Sequence, residues 1–349
     1  MPLLFKAQEI LQKEKGLTFD DVLLVPNHSE ISSRRHPQLK SRLTKSISLE
    51  LPIISANMDT VTGSAMAIKM ASLGGLGILH RFMTIEEQVE EVKKIKAATT
   101  TPVAASIGVK EEGMKRAHAL VEAGVSLLTL DIAHGDSVMM LETLDYVKKH
   151  FPHVQVIAGN VATADAVRRL IDHGADSIKV GIGPGSMCTT RIITGCGVPQ
   201  LSAIAMCVDE AKRHHIPVIA DGGIKNSGDI MKAYAAGAET VMLGSMLAGC
   251  EETPGEVQGG KKKYRGMASK DAQVSWRGEL PQGMAPEGES RWIACKGSVA
   301  HILNEIAGGI RSGMTYVNAQ TIQEIHLQAR FIEMTSSGMQ ESRPHGMNL

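Results

Sequence analysis

The chain has 349 residues, with 37 Lys+Arg balancing 37 Asp+Glu, so its formal net charge is zero. That balance excludes a long-range pull toward nucleic acid or an anionic membrane. Hydrophobic residues at 43% supply a full-sized core and exclude disorder, while aromatics at 3% exclude a base-stacking platform for single-stranded nucleic acid.

A polar lead-in, residues 1–50, contains "GLTFDDVLLVP" and a hairpin near Arg42–Leu49. Its first stretch, Met1–Gly16, is interrupted by Lys6, Glu9, Lys13, Glu14 and Lys15, which reads as no secretory leader. Short apolar runs then alternate with helix-period segments: Leu51–Ala56, helix Ser64–Ser72, Leu76–Leu79, helix Ile85–Lys96, Val103–Ile107 and helix Glu111–Glu122. The pattern continues with Leu127–Leu130, helix Val138–His150, Val154–Ala158, helix Ala164–Asp172, Ser177–Val180, helix Ala203–His214, Pro217–Ala220, helix Ser227–Ala236 and Thr240–Leu243. Gly74, Gly124, Gly174 and Gly237 are helix stops. Eight strand–helix units, each strand apolar on both sides, predict an α/β fold closed as a (β/α)8 TIM barrel rather than an open doubly wound sheet.

One catalytic barrel is expected to account for residues 1–349. Two further segments lack the rhythm: a lid over 250–296, rich in Gly, Pro, Lys and Glu, and a tail over 335–349. No apolar stretch approaches the roughly 20 residues that span a bilayer. The five cysteines contain no C-x-x-C pair, so they read as reduced and intracellular. These features predict a cytoplasmic protein without a membrane or nucleic-acid partner.

In such barrels chemistry sits where strands end. The residues there are Asn57-Met58-Asp59, His80-Arg81, Asp131 with His134, Gly159-Asn160, Gly181 through Thr190, Asp221-Gly222-Gly223 and Gly244-Ser245. "ADGGI" and "MLGSM", after the seventh and eighth strands, suit a phosphate cradle, because glycines let backbone N–H groups approach an anion. "GIGPGS" fails as a dinucleotide fingerprint, since its spacing is G-x-G-x-G and no helix-period segment follows at once. Behind it, Cys188 stands in a glycine-hinged loop where a thiol can react. Cys207 and Cys250 read as core, and His214-His215 as a solvated helix end without zinc-ligand spacing.

Together with "ANMDTVT", "AGNVAT", "KVGIGPGSMCTTR", "GVPQLSAI", "VIADGGI", "GDIMKA", "VMLGSMLAGCEETPGE" and "YRGM", these segments make the chain resemble the IMP dehydrogenase / GMP reductase family over residues 16–345. The resemblance implies a homotetrameric barrel enzyme acting at C2 of a purine nucleotide (GMP or IMP) through a covalent adduct on Cys188. It implies phosphate and ribose contacts at Ser186, Asp221, Gly222, Gly223, Gly244, Ser245 and Tyr264, the purine near Met58, Met267, Glu287 and Gly288, and a further nucleotide contact at Gly266. It assigns nicotinamide contacts to Asp131, Ile132, Ala133, Asn160 and Gly181. A monovalent cation, usually K+, would sit among carbonyls of Gly183, Gly185 and Cys188, and Glu341 would reach a neighbouring subunit's cation site. Thr190 and Glu287 correspond to the family's proton-handling pair.

Two absences point to the reductase branch. Residues 93–105, "KKIKAATTTPVAA", run through the place where the dehydrogenases of this family usually carry a regulatory insert. The stretch between "YRGM" and "PEG" is only 18 residues, 268–285, and lacks the Arg-Tyr pair with which dehydrogenases activate water. The expectation is an NADPH-dependent GMP reductase using NADP(H). The alternative is an NAD-dependent IMP dehydrogenase, which the tail "GMQESRPHG" resembles. A nucleotide-binding module without turnover would not need the set Cys188, Thr190 and Glu287.

Overall fold

The structure, a computed structural model, describes residues 3–280, 282–342 and 344. Eight parallel strands close into a barrel: Ile53–Ser55, Leu76–Leu79, Ala104–Ile107, Leu127–Asp131, Gln155–Val161, Ser177–Val180, Val218–Asp221 and Thr240–Leu243. Closure runs through Val241, Met242 and Leu243 of the eighth strand, paired with Ile53, Ile54 and Ser55 of the first. The helices between them, Ser64–Ser72, Ile85–Ala98, Lys110–Glu122, Val138–His150, Ala164–Asp172, Gln200–Arg213 and Ser227–Ala235, follow the sequence reading to within a few residues. The four helix-stop glycines all take positive φ. A later helix, Val299–Tyr316, packs on Ser227–Ala235 and Ser64–Ser72 and completes the ring. The fold is the expected α/β barrel.

Strand side chains alternate in direction, and both destinations are apolar. Ile54, Leu76, Ile78, Ala104, Leu127, Ile157, Ile219 and Met242 form a buried cluster of their own, separate from the larger core between strands and helices. That inner cluster also takes in Leu43 and Leu49 from the hairpin Ser41–Arg42/Ser48–Leu49. The hairpin is tied to strand starts. Thr44 donates to Gln155 at 2.9 Å, Thr240 donates to the Arg42 carbonyl at 3.0 Å, and Arg42 pairs with Glu239. It therefore plugs the end where strands begin and leaves open the end where they finish.

Two segments differ from expectation. The 250–296 lid, expected to lack regular structure, carries an antiparallel ribbon, Lys261–Arg265 with Ser290–Ala294, and a helix, Lys270–Arg277, capped by Ser269. Apolar patterning missed it because the buried ribbon positions are Lys262 and Tyr264. The Lys262 ammonium donates to the carbonyls of Cys250, Glu251 and Thr253 at 3.1, 3.0 and 2.7 Å. The tail also contains a short helix, Ser336–Glu341, capped by Thr335. The rest of that tail, residues 343 and 345–349, lies outside the described residues. A three-stranded antiparallel sheet, Leu4–Phe5, Phe331–Glu333 and Val22–Leu24, joins the lead-in to the C-terminal segment. Among the described residues no helix is long and apolar enough to cross a membrane.

The first helix seats tightly on the second strand: a Cβ at Gly77 would lie 2.5 Å from Ala67 Cα. Gly77→Ala is expected to cost about 2 kcal/mol of unfolding free energy through overpacking, read from the urea midpoint. A midpoint equal to wild type would mean the helix is not held this close.

Candidate active site

A cavity of about 380 Å³ opens at the strand-end face. Nearly every residue singled out in the sequence lines it: Met58, Asp131, Ile132, Ala133, Asn160, Gly181, the loop Gly183–Cys188, Thr190, Asp221-Gly222-Gly223, Gly244-Ser245, Tyr264, Gly266, Met267 and Glu287. Gly288 stands behind this lining, bridged to Cys188. Glu341 is exposed on its short helix, outside the cavity lining. His80 and Asp59 are turned to other work. His80 Nδ1 accepts the Phe82 N–H at 3.2 Å, and Asp59 pairs with Arg265 of the lid ribbon. Cys207 and Cys250 are buried, as expected, while Cys196 and Cys295 are exposed.

The cysteine loop is held from both sides. Its base is fastened by Arg191, which donates to the carbonyls of Ile182 at 3.1 Å and Val198 at 2.6 Å. Its outer edge is stitched to the lid: Thr189 N–H donates to Glu287 O at 3.2 Å, and Glu289 N–H to Met187 O at 2.8 Å. These bonds bring three side chains into line. The Cys188 thiol lies 3.1 Å from Thr190 Oγ1, and the Thr190 hydroxyl donates to Glu287 Oε2 at 2.8 Å. Chemically, this is a nucleophile whose neighbouring hydroxyl can pass a proton to or from a carboxyl.

Across the cavity, the Gly222 and Gly223 backbones have φ of 92° and 80°, and a Cβ on Gly222 would sit 2.9 Å from Pro184. A Cβ on Gly244 would meet the Tyr264 hydroxyl at 3.1 Å and the Met58 sulfur at 3.3 Å. The Tyr264 hydroxyl in turn lies 3.3 Å from Ser186 Oγ. This end is therefore lined with backbone and hydroxyls, the chemistry of a phosphate cradle.

The residue that sequence reading missed is Lys179, on the sixth strand. Its ammonium, 3% exposed, donates to Asp131 at 2.6 Å and Asp221 at 2.9 Å, and also to Asn160. Asn57 donates to Asp131, and Asn160 donates to Asp221, both at 2.9 Å. Burial alone would lower the Lys179 pKa; the two aspartates outweigh it and hold it above the ordinary lysine value. Burial would likewise raise Asp131, but the Lys179 charge and the Asn57 amide hold it below the ordinary aspartate value. The available signal was a lysine inside an otherwise apolar barrel strand, where a charge has to be paired.

Among the described residues no group of three His, Cys, Asp or Glu could hold a metal ion. A cation at the cysteine loop would rest on main-chain oxygens, of which that of Gly185 already accepts the Cys188 N–H at 3.0 Å.

A closed barrel with a loop-borne thiol, a hydroxyl and a carboxyl in contact, and a glycine-rich end at one strand-end cavity has the layout of a barrel enzyme. The comparisons narrow it. The family model described as "IMP dehydrogenase / GMP reductase domain" matches residues 16–345. An inosine-5′-monophosphate dehydrogenase of Cryptosporidium parvum is 43% identical over 388 residues, covering 96% of each chain. A GMP reductase of Leishmania donovani is 34% identical over 479 residues, covering 96% of this chain and 97% of its own. A cysteine-to-alanine variant of a Trypanosoma brucei GMP reductase, solved with guanosine 5′-monophosphate, superposes with a TM-score of 0.90 at 33% identity, covering 97% of this chain and 99% of its own. The chain belongs to the IMP dehydrogenase / GMP reductase family, oxidoreductases of purine nucleotides that use a nicotinamide cofactor.

These alignments correct one expectation. The Leishmania reductase aligns over 479 residues against a chain of 349, the Cryptosporidium dehydrogenase over only 388. A large extra segment thus occurs in a reductase and not in that dehydrogenase, so its absence here does not discriminate between the branches.

Lys179→Met leaves two carboxylates without their counter-ion and is expected to cost about 3–5 kcal/mol of unfolding free energy near neutral pH. The depressed Asp131 pKa makes its contribution present above the ordinary aspartate range and lost as pH falls from that range through the lowered Asp131 value. The gap between wild type and variant should therefore narrow toward acid. A pH-independent gap in urea titrations would contradict the pairing.

Proposed function

We propose that this chain is an NADPH-dependent GMP reductase, converting GMP to IMP and ammonia. The observation that carries the reading is the Cys188–Thr190–Glu287 chain of contacts, set beside the short lid. Residues 268–285 hold no Arg-Tyr pair. Arg277 is followed by Gly278, and the only tyrosine among the described lining residues, Tyr264, lies by Ser186 at the cradle end.

In this reading the GMP phosphate lies on Ser186, Gly222, Gly223, Gly244 and Ser245, with Asp221 on the ribose. The purine rests near Met58 and Met267, with Gly266 and Gly288 shaping its edge. Cys188 sulfur, as thiolate, bonds to C2. Glu287, through Thr190, delivers a proton to the 2-amino group, which leaves as ammonia and gives a thioimidate. The reduced nicotinamide, held by Asp131, Ile132, Ala133, Asn160 and Gly181, supplies the hydride that C2 needs. Breaking the C–S bond returns the electron pair to sulfur and releases IMP. The lid keeps water from the thioimidate. A K+ on the carbonyls of Gly183, Gly185 and Cys188, joined by Glu341 across a subunit boundary, would steady the loop in a cytoplasmic homotetramer.

The second reading, NAD-dependent oxidation of IMP to XMP, is favoured by the 43% identity to a dehydrogenase. It uses the same cysteine but needs a group to activate water, and Arg277 on the cavity wall is the candidate.

Cys188→Ala is expected to abolish turnover and covalent labelling by a 6-chloropurine nucleotide; turnover by this variant would end both readings. Glu287→Gln is expected to lower kcat with GMP by about a hundredfold or more. Because deamination then limits the rate, the deuterium isotope effect from labelled NADPH should fall toward unity. A lowered kcat with an undiminished isotope effect would remove Glu287 from ammonia release.

A further inference from the structure

Three consecutive lysines, Lys261, Lys262 and Lys263, open the lid ribbon, and each has a different setting. Lys261 is exposed, and Lys263 pairs with Asp271. Lys262 turns inward and is buried, and every partner it has among the described residues is an uncharged oxygen. Its ammonium lies 3.1 Å from the Cys250 carbonyl, 3.0 Å from that of Glu251, 2.7 Å from that of Thr253 and 3.2 Å from Thr253 Oγ1. The Thr253 hydroxyl donates to the Cys250 carbonyl at 2.7 Å, which closes the turn on itself around these oxygens. A buried charge without a counter-charge is costly unless dipoles replace its water. A shell of carbonyl oxygens is also how proteins replace the hydration of a monovalent cation. Lys262 thus acts as a monovalent cation tethered to the ribbon and held by the turn that follows the eighth strand.

The tether sets the working end of the lid. Tyr264, on the same buried face two residues on, reaches Ser186 at the cradle. Lys262 stands opposite Ile293, and the pairing runs on through Tyr264 with Arg291 and Arg265 with Ser290. The Gly266 N–H then donates to the Glu289 carbonyl at 2.9 Å. Glu287 lies two residues before Glu289, in the stretch 278–289 that belongs to neither the lid helix nor the ribbon. Its main chain is bonded to the cysteine loop, but the ribbon decides where that stretch begins its return to the barrel. A displacement of about 1 Å at a reacting group can cost about a hundredfold in rate, even when the change responsible is remote.

We propose that Lys262 is a positioning residue for the reaction. Its ammonium, caged by the Cys250–Thr253 turn, fixes the ribbon so that Glu287 stands within reach of Thr190. A free organic cation can take its place once the side chain is removed. The proposal rests on the reading of Glu287 as the group that serves the Cys188 adduct.

Lys262→Ala empties the cage without altering a cavity residue. It is expected to lower kcat by about tenfold to a hundredfold at one fixed K+ concentration. Propylammonium should recover most of that loss and leave the wild type unchanged; ammonium itself is avoided because the proposed reaction releases ammonia. The two tryptophans of the chain, Trp276 and Trp292, both lie in the lid, so their emission reports lid placement without turnover. Acrylamide quenching should rise in Lys262→Ala and return toward the wild-type value with propylammonium. Wild-type kcat in Lys262→Ala would overturn the proposal, as would a loss of kcat that propylammonium leaves untouched. If Lys262→Ala does not fold, Lys262→Met and Lys262→Arg decide it: a lower kcat in the methionine variant than in the arginine variant supports the tethered charge, and equal values overturn it. If the wild type turns over only IMP with NAD+, the reductase reading fails, and the same kcat comparison in that direction decides the proposal. With turnover in neither direction the quenching decides it, restoration by propylammonium supporting the tether and its failure overturning it.

Discussion

An ammonium inside a barrel has to be surrounded by opposite charge or lose its own, and Lys179 satisfies that requirement with groups that face the cavity. Its two carboxylate partners end the fourth and seventh strands, and its amide partner lies on the fifth. One side chain from the sixth strand thus fixes the relative positions of three others around the open end. Asp131 and Asp221 fall in the two halves of the cavity that the functional reading gives to the dinucleotide and to the mononucleotide. Both carboxylates are drawn toward one ammonium, so the two halves are held in register by a single charge. Closing the opposite end with the Leu43/Leu49 hairpin leaves the interior apolar beneath this network, and an apolar, low-dielectric surrounding strengthens its electrostatics.

The lid is organised by polar bonds where a core element would use apolar ones. The Lys262 ammonium, among three carbonyls, and Lys296, which donates to the carbonyls of Ser245 and Met246 at 2.8 and 3.1 Å, tie the ribbon to the turn after the eighth strand. The ribbon's far end meets the cysteine loop, where Glu287 reaches Thr190. The barrel therefore supplies thiol and cradle, and the lid supplies the carboxyl. Catalytic geometry of this kind depends on lid placement, since the carboxyl is useful only within hydrogen-bond reach of the hydroxyl.

Legibility in the sequence tracked the physical cause of each element. The eight strands were readable because burial on both faces makes them apolar runs, and the helices because one face is buried and glycine stops them. The hairpin at 41–49 was readable as well. The lid ribbon was not, since its inward positions are a lysine and a tyrosine. Lys179 was hidden inside the run Ser177–Val180, whose apolar context masked a charge that only its partners from distant strands explain. The cavity residues were legible largely through motif resemblance; the spacing of Cys188, Thr190 and Glu287 in space was not, because it depends on a lid segment nearly a hundred residues downstream, 97 from Thr190 to Glu287.

The central claim is that the Cys188 adduct is resolved by loss of ammonia and reduction, and not by water. Absorbance at 340 nm, followed in the presence of potassium with GMP and NADPH in one cuvette and IMP and NAD+ in another, tests it most directly. The account predicts loss of absorbance in the first and none gained in the second. Gain of absorbance in the second, with none lost in the first, would contradict it and make the short lid competent to activate water.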